Sequence, residues 1–378
     1  MADNSLLLFI SGLLAFWTVV YALGKGKGGD KLEVMPGALL VRAGVRLDPM
    51  EAGAKRKLLI VFGYISVALL IISAALFYYY VGYVFALKYI IKPPGEEVQG
   101  FSPIIPGVTI GWKDTIYIMV AIGVAAFFHE LSHALVSRAV GVKVKDAGIA
   151  LFLFIPAAFV EPDEDELKRA RLRDRTLIYS AGVGANVILA LLSLIALSLA
   201  AQSLAMGVMI VDVSQGSPAE QAGLQPGMVI VAVNGEPVKS LNDLINALKK
   251  AGVGDRSRAA DVYLKVVVDG EEKTVHVHKP VGVDKIGVTL KEIYKYNWLV
   301  VFIRASYIIN FSLALVNAAP LAIPLPGGVL FADGGQILRD IVAAKYGEEK
   351  GNLAAVLVGV ATLAVLISLM GLARLQIS

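Results

Sequence analysis

Two histidines and a glutamate stand alone in an apolar stretch of this 378-residue chain. Residues 115–137 carry a single formal charge, at Glu130, within the run Phe128-His129-Glu130-Leu131-Ser132-His133. At 3.6 residues per helical turn, His129 and His133 share one face, about 6 Å apart along the axis. Imidazoles so spaced can hold one zinc ion. Glu130, on the neighbouring face, can take a proton from water without being a ligand. The same pattern arises by chance in loops and soluble helices. Its place in an apolar run argues for function, because ionisable groups are costly there.

The elements that must position these residues follow from composition. Hydrophobic residues make up 57% of the chain and charged residues 17%. That is too apolar and too poor in charge for an ordinary soluble domain. Disordered, collagenous and disulfide-stapled classes are excluded, the last because there is no Cys. Six stretches reach the roughly 20 apolar residues a spanning helix needs: 5–24, 58–87, 115–137, 176–211, 296–332 and 351–373. Pro320, Pro324 and Pro326 should end the fifth helix near Ala319. A seventh run, 147–160, is too short to cross and suits a re-entrant segment. The first run lacks the basic flank of a signal peptide and reads as a retained helix.

Lys and Arg set the orientation. Residues 24–57 and 138–175 carry eight each and 88–114 only three, so the first two lie in the cytoplasm and the third outside. The N-terminus is then outside and the third helix runs inward. The net charge of +4 reflects this topology rather than nucleic-acid binding. Arg304 snorkels from the outer end of the fifth helix.

A catalytic zinc takes three protein ligands and leaves a fourth position open. Asp333 follows 28 uncharged residues, just past the inward-running fifth helix and so at the depth of His129. It could be a turn residue before Gly334-Gly335, but the matching depth favours a ligand. In Ser180-Ala-Gly182-Val-Gly184-Ala-Asn186, small residues allow close helix packing. Asn186 then faces protein, where it steadies a substrate carbonyl or an oxyanion, or makes only an interhelical hydrogen bond.

Residues 206–292 hold 21 of the 66 charged residues in under a quarter of the chain. They read as a soluble α+β insert outside the membrane. Strands cover 207–213, 226–233, 263–268 and 273–278, with turns at Asn234-Gly235 and Asp269-Gly270 and a helix over 240–250. His276 and His278 alternate on one strand face, where solvation is favoured over metal binding.

In order, these residues resemble the site-2 protease family of intramembrane zinc metalloproteases. The resemblance rests on His129-Glu130-x-x-His133, Ser180-Ala-Gly-x-x-x-Asn186, and Asn317-x-x-Pro320 leading to Asp333-Gly334. Pro156-Ala-Ala-Phe-Val-Glu161-Pro adds a stretch similar to Gly-Ala-Phe-Val-Glu-Pro. It implies His129, His133 and Asp333 as Zn2+ ligands, Glu130 as acid and base, and a β-hairpin dipping into the membrane near 147–160. It also implies a single-pass membrane protein as substrate, such as a regulator already cut once. The insert resembles a PDZ domain of permuted type. Lys285-Ile286-Gly287-Val288 is the expected cradle for a peptide terminus, and Val208 to Ile210 a lesser one. A steric gate is the other use. Strand addition of substrate is expected along Ile149 and Leu151.

The reading is a polytopic α-helical membrane protein with about six transmembrane helices, a membrane-dipping β-hairpin and an extracytoplasmic PDZ-like domain. Its expected parts are 1–114, 115–205, 206–292 and 293–378. The function expected is zinc-dependent cleavage of single-pass substrates within the bilayer, with no nucleic-acid partner. An inactive scaffold presenting the PDZ-like domain is the alternative. A transporter would often show internal repeats, and none is found.

Overall fold

Long uncharged runs become helices because a helix satisfies its backbone N–H and C=O groups internally, without water. A computed structural model describes residues 2–24, 31–91, 98, 100–325 and 328–371. Helix α1 (Ala2–Gly24) comes first. Strands β1 (Leu32–Met35) and β2 (Ala38–Arg42) form a hairpin turned by Pro36-Gly37. Helix α2 (Ala54–Phe85) continues into a π-helical turn, Ala86–Ile91. Helix α3 (Trp112–Val140) ends at Gly141, whose φ of 98° suits a left-handed cap. Strands β3 (Val144–Phe152) and β4 (Ile155–Pro162) follow, then α4 (Glu164–Arg169) and α5 (Leu172–Leu204).

The insert comprises β5 (Ala205–Val213), α6 (Pro218–Gln221), β6 (Val229–Val233), β7 (Glu236–Pro237) and α7 (Leu241–Lys250). Strands β8 (Ala260–Val268), β9 (Glu271–Lys279) and β10 (Val288–Tyr294) complete it. The chain closes with α8 (Asn297–Ala318), β11 (Ala322–Leu325), β12 (Gly328–Phe331), α9 (Asp333–Tyr346) and α10 (Glu348–Leu369). Six of the described helices are long and apolar enough to cross a membrane: α1, α2 with its π turn, α3, α5, α8 and α10.

Two compact units divide the chain, Met1–Ser193 with Arg304–Ser378, and Leu194–Ile303. In the first, α2 and α5 approach closely because Gly184 has no side chain. A Cβ there would lie 2.0 Å from the Ser66 hydroxyl. Val136 of α3 packs with Leu177, Ile178 and Ala181 of α5, and Leu70 and Val183 pack with Ala314 and Ala318 of α8. One antiparallel sheet runs β1-β2-β3-β4. The β3–β4 turn is tied to α1 by Trp17, whose Nε1 donates to Leu153 O at 2.8 Å.

The second unit is a sheet of order β10-β5-β6-β8-β9, with β7 on β6. Its core gathers Val208, Ile210, Ile230, Leu244, Val262, Leu264 and Val277, all buried. Ser240 and Asp243 form a reciprocal capping box that starts α7.

Several expectations change here. Residues 24–57 contain the β1–β2 hairpin rather than loop alone. The apolar run 176–211 covers a helix to Leu204 and then strand β5, in keeping with an insert that begins at 206. Helix α3 runs three residues beyond the expected stretch 115–137 at each end, from Trp112 to Val140. The stretch from Pro320 folds as the β11–β12 hairpin, in which Pro324 pairs with Val329. A two-stranded sheet tolerates that proline because each strand has an outer edge. Pro326 lies outside the described residues.

Candidate active site

Helix α3 projects His129 and His133 from one face, and both are buried. Their outer nitrogens meet the carboxylate of Asp333, the first residue of α9. His129 Nε2 lies 3.3 Å from Asp333 Oδ2, and His133 Nε2 lies 3.5 Å from Asp333 Oδ1. Three groups called from distant sequence thus converge. A helix N-terminus also favours a carboxylate through its unpaired N–H groups.

Each imidazole is fixed through its other nitrogen. His133 Nδ1 donates to Ile178 O at 2.7 Å, and His129 Nδ1 donates to Asn186 Oδ1 at 2.6 Å. With Nδ1 carrying the proton, each Nε2 presents a lone pair toward Asp333. Glycines make the approach possible. A Cβ on Gly182 would sit 2.5 Å from the His129 ring, and one on Gly334 would sit 2.1 Å from Ala318 O.

The donor set suits a metal ion. Asp333 Oδ2 is buried without a hydrogen-bond partner, although it faces His129 Nε2, while Oδ1 of the same carboxylate faces His133 Nε2. Bonds of about 2.0–2.2 Å around a tetrahedral ion place neighbouring ligand atoms about 3.4 Å apart, which matches the two separations observed. Glu130 groups with the two histidines, their ligand atoms all within 4.8 Å of one another.

A cavity of about 790 Å³ opens on these residues. His129, Glu130, His133 and Asp333 share its wall with Ala158, Phe159 and Val160 of β4. Arg175, Arg339 and Asn317 line it as well. Arg175 Nε lies 2.9 Å from Asp340 Oδ2, which ties α5 to α9 two turns beyond Asp333. Asp163 opens α4 as its N-cap. Its carboxylate is held below the usual range, first by the backbone N–H of Glu166 and then by Lys145 at 3.3 Å.

One sequence expectation is narrowed and another corrected. Asn186 is fully buried and both ends of its amide are engaged, Oδ1 by His129 and Nδ2 by Asn310 Oδ1 at 3.0 Å. Of its two expected uses the structure shows the interhelical hydrogen bond, with the amide engaged by His129 and Asn310 rather than open to an oxyanion. Ile149 and Leu151 lie on β3, an inner strand already paired with β2 and β4, so no further strand can add there. The outer strand beside the cavity is β4, which among the described residues pairs only with β3.

In the second unit, Gly287 adopts a φ of +85° and a Cβ there would meet Ser217 at 2.3 Å. The carbonyls of Ile286 and Gly287 accept from Ala219 N and Ser214 N. Val288 begins β10, an outer strand of the sheet. Val208 to Ile210 lie on inner β5, which removes the lesser cradle.

The sequence reading missed Asn310 and the Ile178 carbonyl. Asn310 had a signal, an amide inside an apolar run. A backbone carbonyl has none.

The model of peptidase family M50 matches residues 117–366, about two thirds of the chain. An uncharacterized protein of Methanocaldococcus jannaschii is 33% identical over 226 residues, covering 60% of this chain and 56% of that one. The chloroplastic membrane metalloprotease ARASP of Arabidopsis thaliana is 27% identical over 235 residues, covering 52% of each. A membrane-bound transcription factor site-2 protease homolog of the same plant is 28% identical over 146 residues, 37% of this chain and 28% of that one. The chain thus spans about half the length of the first two relatives, and less of the third.

Proposed function

The chain belongs to peptidase family M50, and we propose that it is a zinc endopeptidase cutting single-pass membrane proteins within the bilayer. One observation carries this reading. Two histidines with fixed tautomers aim their free nitrogens at one partly buried carboxylate, and Glu130 shares the cavity wall beside them.

His129, His133 and Asp333 would hold the ion. Zinc, when bound, acidifies water and polarises a carbonyl, which allows hydrolysis near neutral pH. Glu130 takes the proton from the attacking water and passes it to the leaving amine. Ile178 O and Asn186 keep both imidazoles turned toward Asp333. The charged side chains of the cavity admit water to a depth where lipid would exclude it.

A substrate helix must unwind before its carbonyls can be attacked, since they are engaged in its own hydrogen bonds. The outer edge of β4 offers the freed segment a strand to pair with, which satisfies groups that lipid cannot. Charge distribution puts the N-terminus and the insert outside the cell membrane and the cavity toward the cytoplasm. The PDZ-like insert takes a peptide terminus along β10, where Ile286, Gly287 and Val288 enter the strand.

The test is cleavage of a model single-pass substrate in proteoliposomes, with zinc measured on the same preparations. Wild type should cut and hold one zinc. Glu130→Gln should hold zinc and fail to cut. Unchanged behaviour of Glu130→Gln would instead indicate a scaffold.

A further inference from the structure

Asn310 lies on α8, is 2% exposed, and touches neither the cavity nor a candidate ligand. Its amide is nonetheless the link that gives the active-site hydrogen bonds their direction. Asn310 Nδ2 donates to Ser306 O at 2.8 Å. A backbone carbonyl can only accept, so the NH2 end of Asn310 must face it and its Oδ1 must face Asn186. That oxygen accepts from Asn186 Nδ2 at 3.0 Å, and Ala125 O lies 3.4 Å from the same nitrogen. Asn186 Oδ1 is then left for His129, 2.6 Å away, and can only accept.

Reversing the chain of bonds fails at each step. Turning Asn186 over would set its oxygen against Asn310 Oδ1 and Ala125 O, with no proton between them. Turning Asn310 over as well would set its oxygen against Ser306 O. In the reversed state His129 would carry its proton on Nε2, the nitrogen that faces Asp333, and could not bind a cation there.

Resting on the zinc-site reading above, we propose that Asn310 is a positioning residue: anchored on Ser306 O, it orients Asn186 so that His129 keeps a free Nε2 for the metal. It acts through Asn186 and touches no reacting atom. Hydrogen-bond partners of metal-bound histidines typically change metal affinity about 10- to 100-fold when removed.

The test measures zinc affinity of the full chain in detergent by competition with a chromophoric chelator. Asn310→Leu has nearly the same shape and no polar end, and should bind zinc about 10- to 100-fold more weakly than wild type. Asn310→Asp, buried and protonated on the oxygen that donates to Ser306 O, keeps an acceptor facing Asn186 and should stay within about threefold of wild type. Asn186→Leu should lose as much as Asn310→Leu, and adding Asn310→Leu to it should cost nothing more, since coupled residues are non-additive. A role in packing alone would weaken Asp and Leu variants alike and would add to Asn186→Leu. Either result overturns the proposal, as does wild-type affinity in Asn310→Leu. A wild-type chain that binds no zinc would overturn the zinc-site reading itself.

Discussion

The chain has four histidines, two in each unit, and the two pairs behave differently. His129 and His133 stand four residues apart on a helix, with side chains 10% and 11% exposed, and face Asp333. His276 and His278 stand two apart on β9, with side chains 48% and 56% exposed, and face Asp261. Composition is the same, two imidazoles and one carboxylate. In the buried pair each Nδ1 is tied to a protein oxygen behind it, and both Nε2 atoms aim at separate oxygens of one carboxylate. In the exposed pair His276 Nε2 and His278 Nδ1 both bond the same oxygen, Asp261 Oδ1, at 2.8 and 2.9 Å. What separates the candidate metal site from the surface cluster is the group behind each imidazole and the burial of both rings.

The sharpest way to break this comparison is through Glu130. Glu130→Gln should lower cleavage by about 10²–10⁴-fold, the usual contribution of a general base, while zinc content stays at one per chain. Next comes the metal itself. His129→Ala, His133→Ala and Asp333→Ala should each lose stoichiometric zinc in elemental analysis, whereas His276→Ala and His278→Ala should keep it. Loss of zinc in the exposed-pair variants would erase the distinction. Gly182→Ala tests positioning without replacing a ligand. Its methyl would press on the His129 ring at 2.5 Å and should weaken zinc binding at least about tenfold, as misplaced ligand supports do. Chelator competition reads it.

The smallest effect is expected at Asp261. Its carboxylate sits below the usual range, held there first by His278 and then by His276. A depressed carboxylate adds stability above its ordinary pKa of about 3.9 and loses it as pH falls through the folded value. Asp261→Asn should therefore slightly lower the thermal midpoint of the second unit at pH 7. The difference should vanish in strong acid, and zinc content should not change.

The sequence was most legible where lipid constrains it. Uncharged runs marked the six helices, and the lone charge of Glu130 marked the site. Asp333 was legible because 28 uncharged residues precede it in the chain. Short strands were less legible. β1 and β2 span four and five residues in a loop rich in Lys and Arg, and only Pro36-Gly37 hinted at their turn. With them hidden, β3 read as an outer strand, and Ile149 and Leu151 were given a pairing role that β2 already fills. Asn186 was picked out correctly as a polar residue facing protein. Which of its two expected roles it fills was not legible, because its partners lie 57 and 124 residues away in sequence.

Zinc-edge X-ray absorption on the purified chain, wild type against Asp333→Ala, tests the central claim most directly. Convergence of His129, His133 and Asp333 predicts one zinc with two imidazole nitrogens and a carboxylate oxygen at about 2.0–2.2 Å, and loss of that oxygen shell or of the metal in the variant. An unchanged spectrum at full occupancy in Asp333→Ala would contradict it.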